Sequence, residues 1–593
     1  MLTALPALTL SRLGVGLAQA VVLLFLREAA IGPSWPATAP AVFGPLLLAA
    51  VFLPPIVISG LGNLRPRVLL IWALAAIVLC AGLAFHGVAR DPAIGTAARF
   101  AERFLPDWEI WFALGAILFI LHSLVLAGDN ERKAIGSYSL LFDTAWELAL
   151  QYALSAGFVG ALSLLLWLGA ELFGLIGLSF LSELLKQSTF WIVVIALAFS
   201  YALHVTDVRA AIAVGARTLL LTLLSWLLPI FALVAVVFVA ALPFTGLEPL
   251  WNTRRAAWIL LSSAALLVIL VNAAHQDGSP ERRGPFVLRL AGAAAAAVLL
   301  PLAIIAGYAL ALRIGQHGWT PDRIVGVACA AILASYGSGY AWALLRRQPY
   351  QWIFERTNVA CALAIVAVLL ALYTPLADPG RISTADQVAR LESGKVSPEQ
   401  FDFAFLRFGA GRYGKEALEA MAQETEGPRA LDIAARARQA LDTDNRWALQ
   451  RGQAQAALTP AQRKDNIRVV QPPGATLPEA FLRQDWAVDS PWTYQASCLR
   501  EQAECEAVLT DLDGDDKAEI LLFTQPGGGS GAVFKEASGG SWTYLGALSN
   551  LHCPGVAQAL RSGDFKTVPP VPARDIEVNG QRLRVQQDCT REP

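Results

Sequence analysis

The sequence predicts an all-α polytopic membrane bundle of about 11 transmembrane helices, then a helical linker and a small, mainly β extracytoplasmic domain. Three observations carry this. Only 16% of the 593 residues are charged and 55% are hydrophobic, with a mean hydropathy of +0.50; a soluble chain carries about 25% charged residues. The deficit is uneven: residues 1–376 hold 22 Lys+Arg and 17 Asp+Glu, against 24 and 30 in residues 377–593. The run from Thr218 to Phe244 has no charge at all, and about 20 apolar residues suffice to cross a bilayer. The expected domains are a transmembrane domain (1–376), a helical region (377–465) and a disulfide-containing, mainly β domain (466–593). The mild acidity of the tail gives no reason to invoke nucleic acid.

In chain order, the first span runs from about Arg12 to Leu26 and reads as an uncleaved helix. The next three are expected near 41–62, 68–88 and 108–127, the fifth near 148–170. Between the third and fourth lies an amphipathic polar segment (90–107). The stretch LSFLSELLKQSTF places Leu178, Leu181, Leu184 and Leu185 on one face, as an interfacial helix would. Six more spans follow near 190–206, 218–244, 256–273, 286–312, 323–345 and 357–376. With the N-terminus cytoplasmic, the inner loops carry 13 Lys/Arg and the outer ones 9, the sense of the positive-inside rule. An odd number of spans then puts the tail outside. The expected location is the bacterial inner membrane, multi-pass, with a periplasmic C-terminal domain.

The tail opens with helices. Ser397-Pro398-Glu399-Gln400 reads as a helix start, and further helices are expected near 413–424 and 428–441. From about 466 the pattern turns to strands in AVLTDLDGDDKAEILLF, AVFKEA, SWTYLGAL and RDIEVNGQRLRVQQ, with Asn579-Gly580 as a hairpin turn.

Cysteines divide at the same boundary. Cys80, Cys329 and Cys361 lie in apolar runs and read as inert core thiols. Cys498, Cys505, Cys553 and Cys589 lie in the tail. Two disulfides in an oxidising compartment, or a four-cysteine metal site, would account for them; the absence of any C-x-x-C pair favours disulfides.

The sharpest chemical signal is Asp511-Leu512-Asp513-Gly514-Asp515-Asp516-Lys517-Ala518-Glu519. Ca²⁺ wants six to eight oxygens, and Asp511, Asp513, Asp515 and Glu519 supply them around one loop, in a structural role. Asp516 stands where a glycine is usual. The plainer reading is a solvated acidic turn. His204 and Asp207 share a helical face, and with Arg209 would form a proton or anion site at the membrane; the plainer reading is an interfacial anchor. Ionisable residues are otherwise scarce within the spans. Glu147, Glu171, Arg289, Arg313, His122 and Asn272 fall near expected helix ends, which counts against a proton-driven pump. Pro54, Pro55, Pro229 and Pro301 break helices near their centres; backbone freed there lines a cavity in some transporters and is plain kinked packing in most helices. Ser335-Tyr336-Gly337-Ser338-Gly339-Tyr340 reads as a small-residue packing face.

Gly527-Gly528-Gly529-Ser530-Gly531 lacks the Lys-Ser/Thr of a phosphate loop, and no zinc motif, G-x-S-x-G or Rossmann fingerprint occurs. His552 is the only histidine of the tail, so a Ser-His-Asp site is not expected there. No catalytic residue is assigned.

Several ordered motifs point to a family. They are Trp35-Pro36-Ala37-Thr38, His204-Val205-Thr206-Asp207-Val208-Arg209, Leu224-Ser225-Trp226-Leu227-Leu228-Pro229, Leu242-Pro243-Phe244-Thr245-Gly246-Leu247 and Gln387-Val388-Ala389-Arg390-Leu391-Glu392-Ser393-Gly394, with Phe401-Asp402 and Arg412-Tyr413-Gly414. Over roughly 12–420 the chain resembles the bacterial membrane family catalogued as domain of unknown function 4153. The resemblance implies a polytopic inner-membrane protein of Gram-negative type, and no activity.

Three functions fit. The first is transport or substrate handling across the cell envelope, with an external regulatory domain and a small-molecule substrate. The second is a membrane enzyme acting on a lipid-linked envelope substrate, glycosyltransferase-like, which needs an acid in an external loop; Glu28, Asp91, Glu102 and Asp107 are the candidates, and none is in a convincing pair. The third is an envelope sensor or scaffold whose tail binds Ca²⁺ or an envelope protein.

Overall fold

The computed structural model describes residues 4–90, 107–208, 210–248, 250, 255–278, 284–346 and 350–424 and, with short gaps, 429–583. The described chain divides into two compact units: residues 1–395 with 406–417, and residues 396–405 with 418–593.

Eleven helices of the first unit are long and apolar enough to cross a membrane. They are α1 (Ala4–Ile31), α2 (Pro40–Gly60), α3 (Pro66–Arg90), α4 (Trp108–Glu131), α5 (Tyr138–Leu175), α7 (Ser188–Val208), α8 (Ala210–Thr245), α9 (Ala256–His275), α10 (Phe286–His317), α11 (Pro321–Leu345) and α12 (Tyr350–Leu372). The chain is thus a multi-pass membrane protein. The stretch expected to lie on the membrane forms only a short helix, α6 (Phe180–Leu185), closed by a Lys186–Glu183 pair. The amphipathic segment expected at 90–107 falls almost wholly outside the described residues. The largest boundary difference is at α5, which starts at Tyr138 rather than near 148. Its first turns carry Asp143 and Glu147, charges that lowered the local hydropathy without stopping the helix.

Helices α2, α8 and α10 run through Pro54, Pro55, Pro229 and Pro301. A proline has no N–H, so the carbonyl four residues earlier loses its donor. For Pro54 that carbonyl is Ala50 O, and Gln19 Nε2 of α1 donates to it at 3.1 Å. Around Pro229 and Pro301 the packing is apolar instead: Leu228, Leu260, Leu267, Leu299, Leu302 and Ala303 form one buried cluster.

Two glycines of the small-residue stretch in α11 permit close packing. A Cβ on Gly337 would lie 2.7 Å from Leu300 N and Cα of α10, and one on Gly339 would meet the Thr357 side chain of α12. Backbone cannot swing aside as a side chain can. Gly337→Ala is therefore expected to destabilise the bundle by about 1–3 kcal/mol. Gly315→Ala in α10, which meets nothing within 4 Å, should stay within about 0.5 kcal/mol. Denaturant unfolding in detergent, followed by tryptophan fluorescence, compares the two.

After the last span, α13 (Pro379–Glu392) packs back on the bundle. Its Asp386 accepts from Trp319 N at 2.8 Å, Gln387 Nε2 donates to His317 O and Trp319 O, and Arg390 Nη2 donates to Gln316 O. All grip the loop between α10 and α11. Gly318 sits in that loop at φ +77°, where a Cβ would be 2.4 Å from Asp386 Oδ2.

The second unit contains α16 (Ala430–Asp442) and α17 (Pro460–Asn466); α14 (Phe403–Phe408) and α15 (Gly411–Gln423) lie at the junction in sequence. Ser397–Gln400 forms a turn rather than the expected helix start, and the helix begins at Phe403. Asp402 Oδ1 accepts from Phe405 N there, so the competent N-terminal acceptor lies further along the chain. α17 carries a full capping box between Thr459 and Gln462. A five-stranded sheet follows in the order β1 (Ile467–Gln471), β2 (Cys505–Thr510), β3 (Glu519–Thr524), β4 (Ser530–Glu536), β5 (Trp542–Ser549). β1 is parallel to β2 and the rest are antiparallel. α18 (Glu479–Arg483) places Phe481 against Trp486, Phe534 and Trp542 in the core. β6 (Ile576–Val578) and β7 (Gln581–Leu583) pair antiparallel; the expected Asn579-Gly580 turn between them lies outside the described residues.

Candidate functional site

α1 carries one charge in its first turns, Arg12, and buries it completely (0% exposed). α7 presents His204 and Asp207 on one face, as their spacing requires. Arg12 Nη2 lies 2.5 Å from Asp207 Oδ2 and 2.5 Å from Leu61 O, and Nη1 is 3.3 Å from His204 Nδ1. A guanidinium only donates. His204 Nδ1 must accept, so its proton sits on Nε2, which faces Thr9 Oγ1 at 2.9 Å. His204 is neutral in this arrangement. Asn63 Nδ2 and Gln151 Nε2 donate to Asp207 Oδ1 at 3.0 and 3.4 Å. The approach of α1 to α7 depends on Gly16, where a Cβ would lie 2.7 Å from Ser200 Cβ; Ser200 Oγ donates to Arg12 O at 2.7 Å.

α5 extends this polar ground. Asp143, Glu147, Gln151 and Ser155 recur every fourth residue and so lie on one face. They cover about 18 Å of helix axis. Gln151 and Ser155 are buried. Arg217 of α8, also buried, lies 2.8 Å from Asp143. Glu147 is within electrostatic reach of Asp207, Arg217 and Asp143.

A branch leads to α4. Asn63 Nδ2 also donates to Ser59 O at 2.9 Å, and Ser59 Oγ is 2.8 Å from His122 Nε2. Trp72 Nε1 donates to His122 Nδ1 at 2.9 Å. The same logic makes His122 neutral, with Nε2–H donating to Ser59, whose hydroxyl donates to Pro55 O at 2.6 Å. A separate knot joins Tyr138, Asn272, Tyr340 and Asn358 across α5, α9, α11 and α12. At the opposite end of the bundle, His86 Nε2 lies 2.7 Å from the fully buried Asp378 Oδ2.

The expected group His204, Asp207 and Arg209 is thus two-thirds described: His204 and Asp207 meet, their cation is Arg12, and Arg209 lies outside the described residues. Arg12 was legible only as an inner-side charge. The α5 stripe has a sequence signal in its four-residue period, masked because Glu147 reads as lying near a helix end. Of the acids expected in external loops, Glu28 pairs with its neighbour Arg27 and Asp107 with Arg90, while Asp91 and Glu102 lie outside the described residues.

In the second unit, Asp511, Asp513 and Glu519 bring carboxylate oxygens within 4.8 Å of one another. Asp516 takes φ +64°, the role a glycine usually fills. Asp515 is not in that group. It and Asp513 both hold Lys535 Nζ of β4, at 2.9 Å for Asp515. The lysine holds the Asp515 carboxyl below its usual range, and the two acids push the Lys535 ammonium above its own. This pairing is lost as pH falls through the lowered Asp515 value or rises through the raised Lys535 value. The oxygens are of the kind Ca²⁺ takes; Asp511 and Glu519 already accept backbone N–H groups, and Lys535 would have to leave Asp513.

Cys498 and Cys505 are disulfide-bonded with Cα atoms 5.8 Å apart, seven positions apart in sequence. Cys553 is half-buried and Cys589 lies outside the described residues, as does His552. Replacing Cys498 and Cys505 by serine is expected to cost about 2.5 kcal/mol from loop-closure entropy, read as a lower denaturation midpoint for the β domain. Cys80 and Cys361 are buried, but Cys329 is exposed on the surface of α11, not a core thiol as its apolar run led us to expect. The run is apolar because that face belongs among lipid.

Neither a curated protein nor a solved structure matches the chain. A family model does match residues 41–423, from α2 to the end of α15 and so over ten of the eleven spans and the clamp helix α13. This chain therefore belongs to the family described as domain of unknown function 4153 (DUF4153).

Proposed function

We propose that the protein is a carrier that handles a small polar solute across the bacterial inner membrane. Its cytoplasmic mouth is the end that holds Arg12, and the C-terminal domain is its periplasmic, regulatory part. One observation carries the reading: the pair of buried Arg12 with partly buried Asp207 continues into a polar face of α5 that reaches the buried Gln151 and Ser155, in a bundle whose core is mostly apolar. Charges in the membrane interior cost several kcal/mol, and apolar packing would be at least as stable. Handling of a polar cargo accounts for that expense. The Lys/Arg bias supports the orientation, and the Cys498–Cys505 bond suits an oxidising compartment.

The test uses the full chain in proteoliposomes on a solid-supported membrane. Amino acids, sugars, dicarboxylates and inorganic phosphate are applied in turn. A saturable current with one class, lost in the double variant R12L/D207L, supports the carrier. No current with any class from correctly folded protein rejects it. We also propose Asp511, Asp513 and Glu519 as Ca²⁺ ligands that stabilise the β domain. Calorimetric titration with Ca²⁺ should give binding that D511N/E519Q abolishes; no heat in the unmodified chain refutes it.

A further inference from the structure

Glu147 is a third carboxylate in a track that holds two arginines. Asp143 pairs with Arg217 and Asp207 with Arg12. Glu147 lies one turn along α5 from Asp143 and one from Gln151, facing both pairs, and makes no hydrogen bond or ion pair of its own among the described residues. The charged groups that act on it are Asp207 on α7, Arg217 on α8 and Asp143 on α5 itself; Asp207 in turn holds Arg12 of α1, which contacts His204. His204, and His122 on α4 beyond it, are neutral by the donors on their Nδ1 atoms. Glu355 of α12 acts on Tyr138, at the foot of α5. With Glu147 ionised, the described track carries one surplus negative charge. Glu147 is half-buried, and a partly desolvated, uncompensated charge is costly, whereas one bound positive charge closes the balance.

We propose that Glu147 is the coupling-ion site of the carrier and binds one small monovalent cation, a proton or Na⁺. This rests on the carrier reading above. In the proton case a hydronium ion arriving at the Arg12 end gives up an O–H bond as one forms on the carboxylate, leaving water; release reverses this, with the proton passing back to a water molecule, and no electron is transferred. Gln151 and Ser155 continue the polar face beyond it, so an ion released from Glu147 has hydrogen-bonding groups ahead of it.

The test is infrared difference spectroscopy of the full chain in lipid bilayers over a pH series, with and without Na⁺, comparing the unmodified protein with E147Q. A protonated-carboxyl stretch that E147Q removes, and that Na⁺ leaves intact, supports the site with a proton as its ion. The same band erased by Na⁺ supports it with Na⁺. No E147Q-sensitive band under either condition overturns the proposal. Should E147Q fold poorly, E147D replaces it, and the band must shift rather than vanish. The spectra do not depend on transport, so a band without solute currents rejects only the carrier, and currents without a band reject only this site.

Discussion

Replacing Arg12 by leucine is expected to destabilise the bundle by roughly 3 kcal/mol, the low end for a broken buried pair because Asp207 keeps some exposure. The substitution leaves the partly buried Asp207 with only amide donors from Asn63 and Gln151. It also strips Leu61 O of its donor and His204 Nδ1 of the N–H that sets its tautomer. His204 recovers by moving its proton; Asp207 does not. The double variant R12L/D207L removes both charges and should regain most of the loss, because a buried pair exchanged for apolar side chains is often neutral or stabilising. Unfolding temperature in detergent, followed through the tryptophans, measures this. A double variant as unstable as R12L would show that Arg12 matters for its packing rather than for its charge. Restored stability together with abolished solute currents is the combination that separates function from folding at this site.

At the other end of the bundle, Asp378→Ala is expected to cost about 2–4 kcal/mol, combining a lost helix cap with an unpartnered buried group. Asp378 Oδ1 accepts from Gly380 N and Arg381 N at the start of α13, and Oδ2 meets His86 at the end of α3. One carboxylate thus joins a spanning helix to the helix that clamps the loop between α10 and α11. The loss should appear first as protease cutting near residues 376–395, before global unfolding. Asp378→Asn keeps the cap acceptor and should lose less. In a double-mutant cycle, D378A and H86A should couple by about 0.5–3 kcal/mol; simple additivity would mean that the His86 contact contributes nothing.

Much of this architecture is legible in the sequence alone. Eleven spans, the sequence-local helices and the strands from Cys505 onward all follow from hydropathy and alternation. Two physical constraints make them so: lipid demands long apolar helices with internally satisfied backbone, and a half-buried sheet demands period two. The acidic loop was visible as a motif, but the lysine that neutralises two of its members comes from another strand, Lys535. Ser397–Gln400 misled because a capping signal states only what a helix start would need, and a better acceptor lay at Asp402.

The candidate site divides the same way. Spacing alone put His204 and Asp207 on one face, and the four-residue period of Asp143, Glu147, Gln151 and Ser155 was there to be read. The partner of Asp207 was not. Arg12 lies 195 residues away in sequence, and the adjacent Arg209 was the local choice. Which helix meets which, at what depth, depends on side-chain volumes such as the missing Cβ of Gly16 against Ser200. Sequence by itself therefore determined the membrane, the spans and the family. Only the packing of distant helices decided which charges meet, because periodicity describes one helix at a time and pairing energy belongs to two.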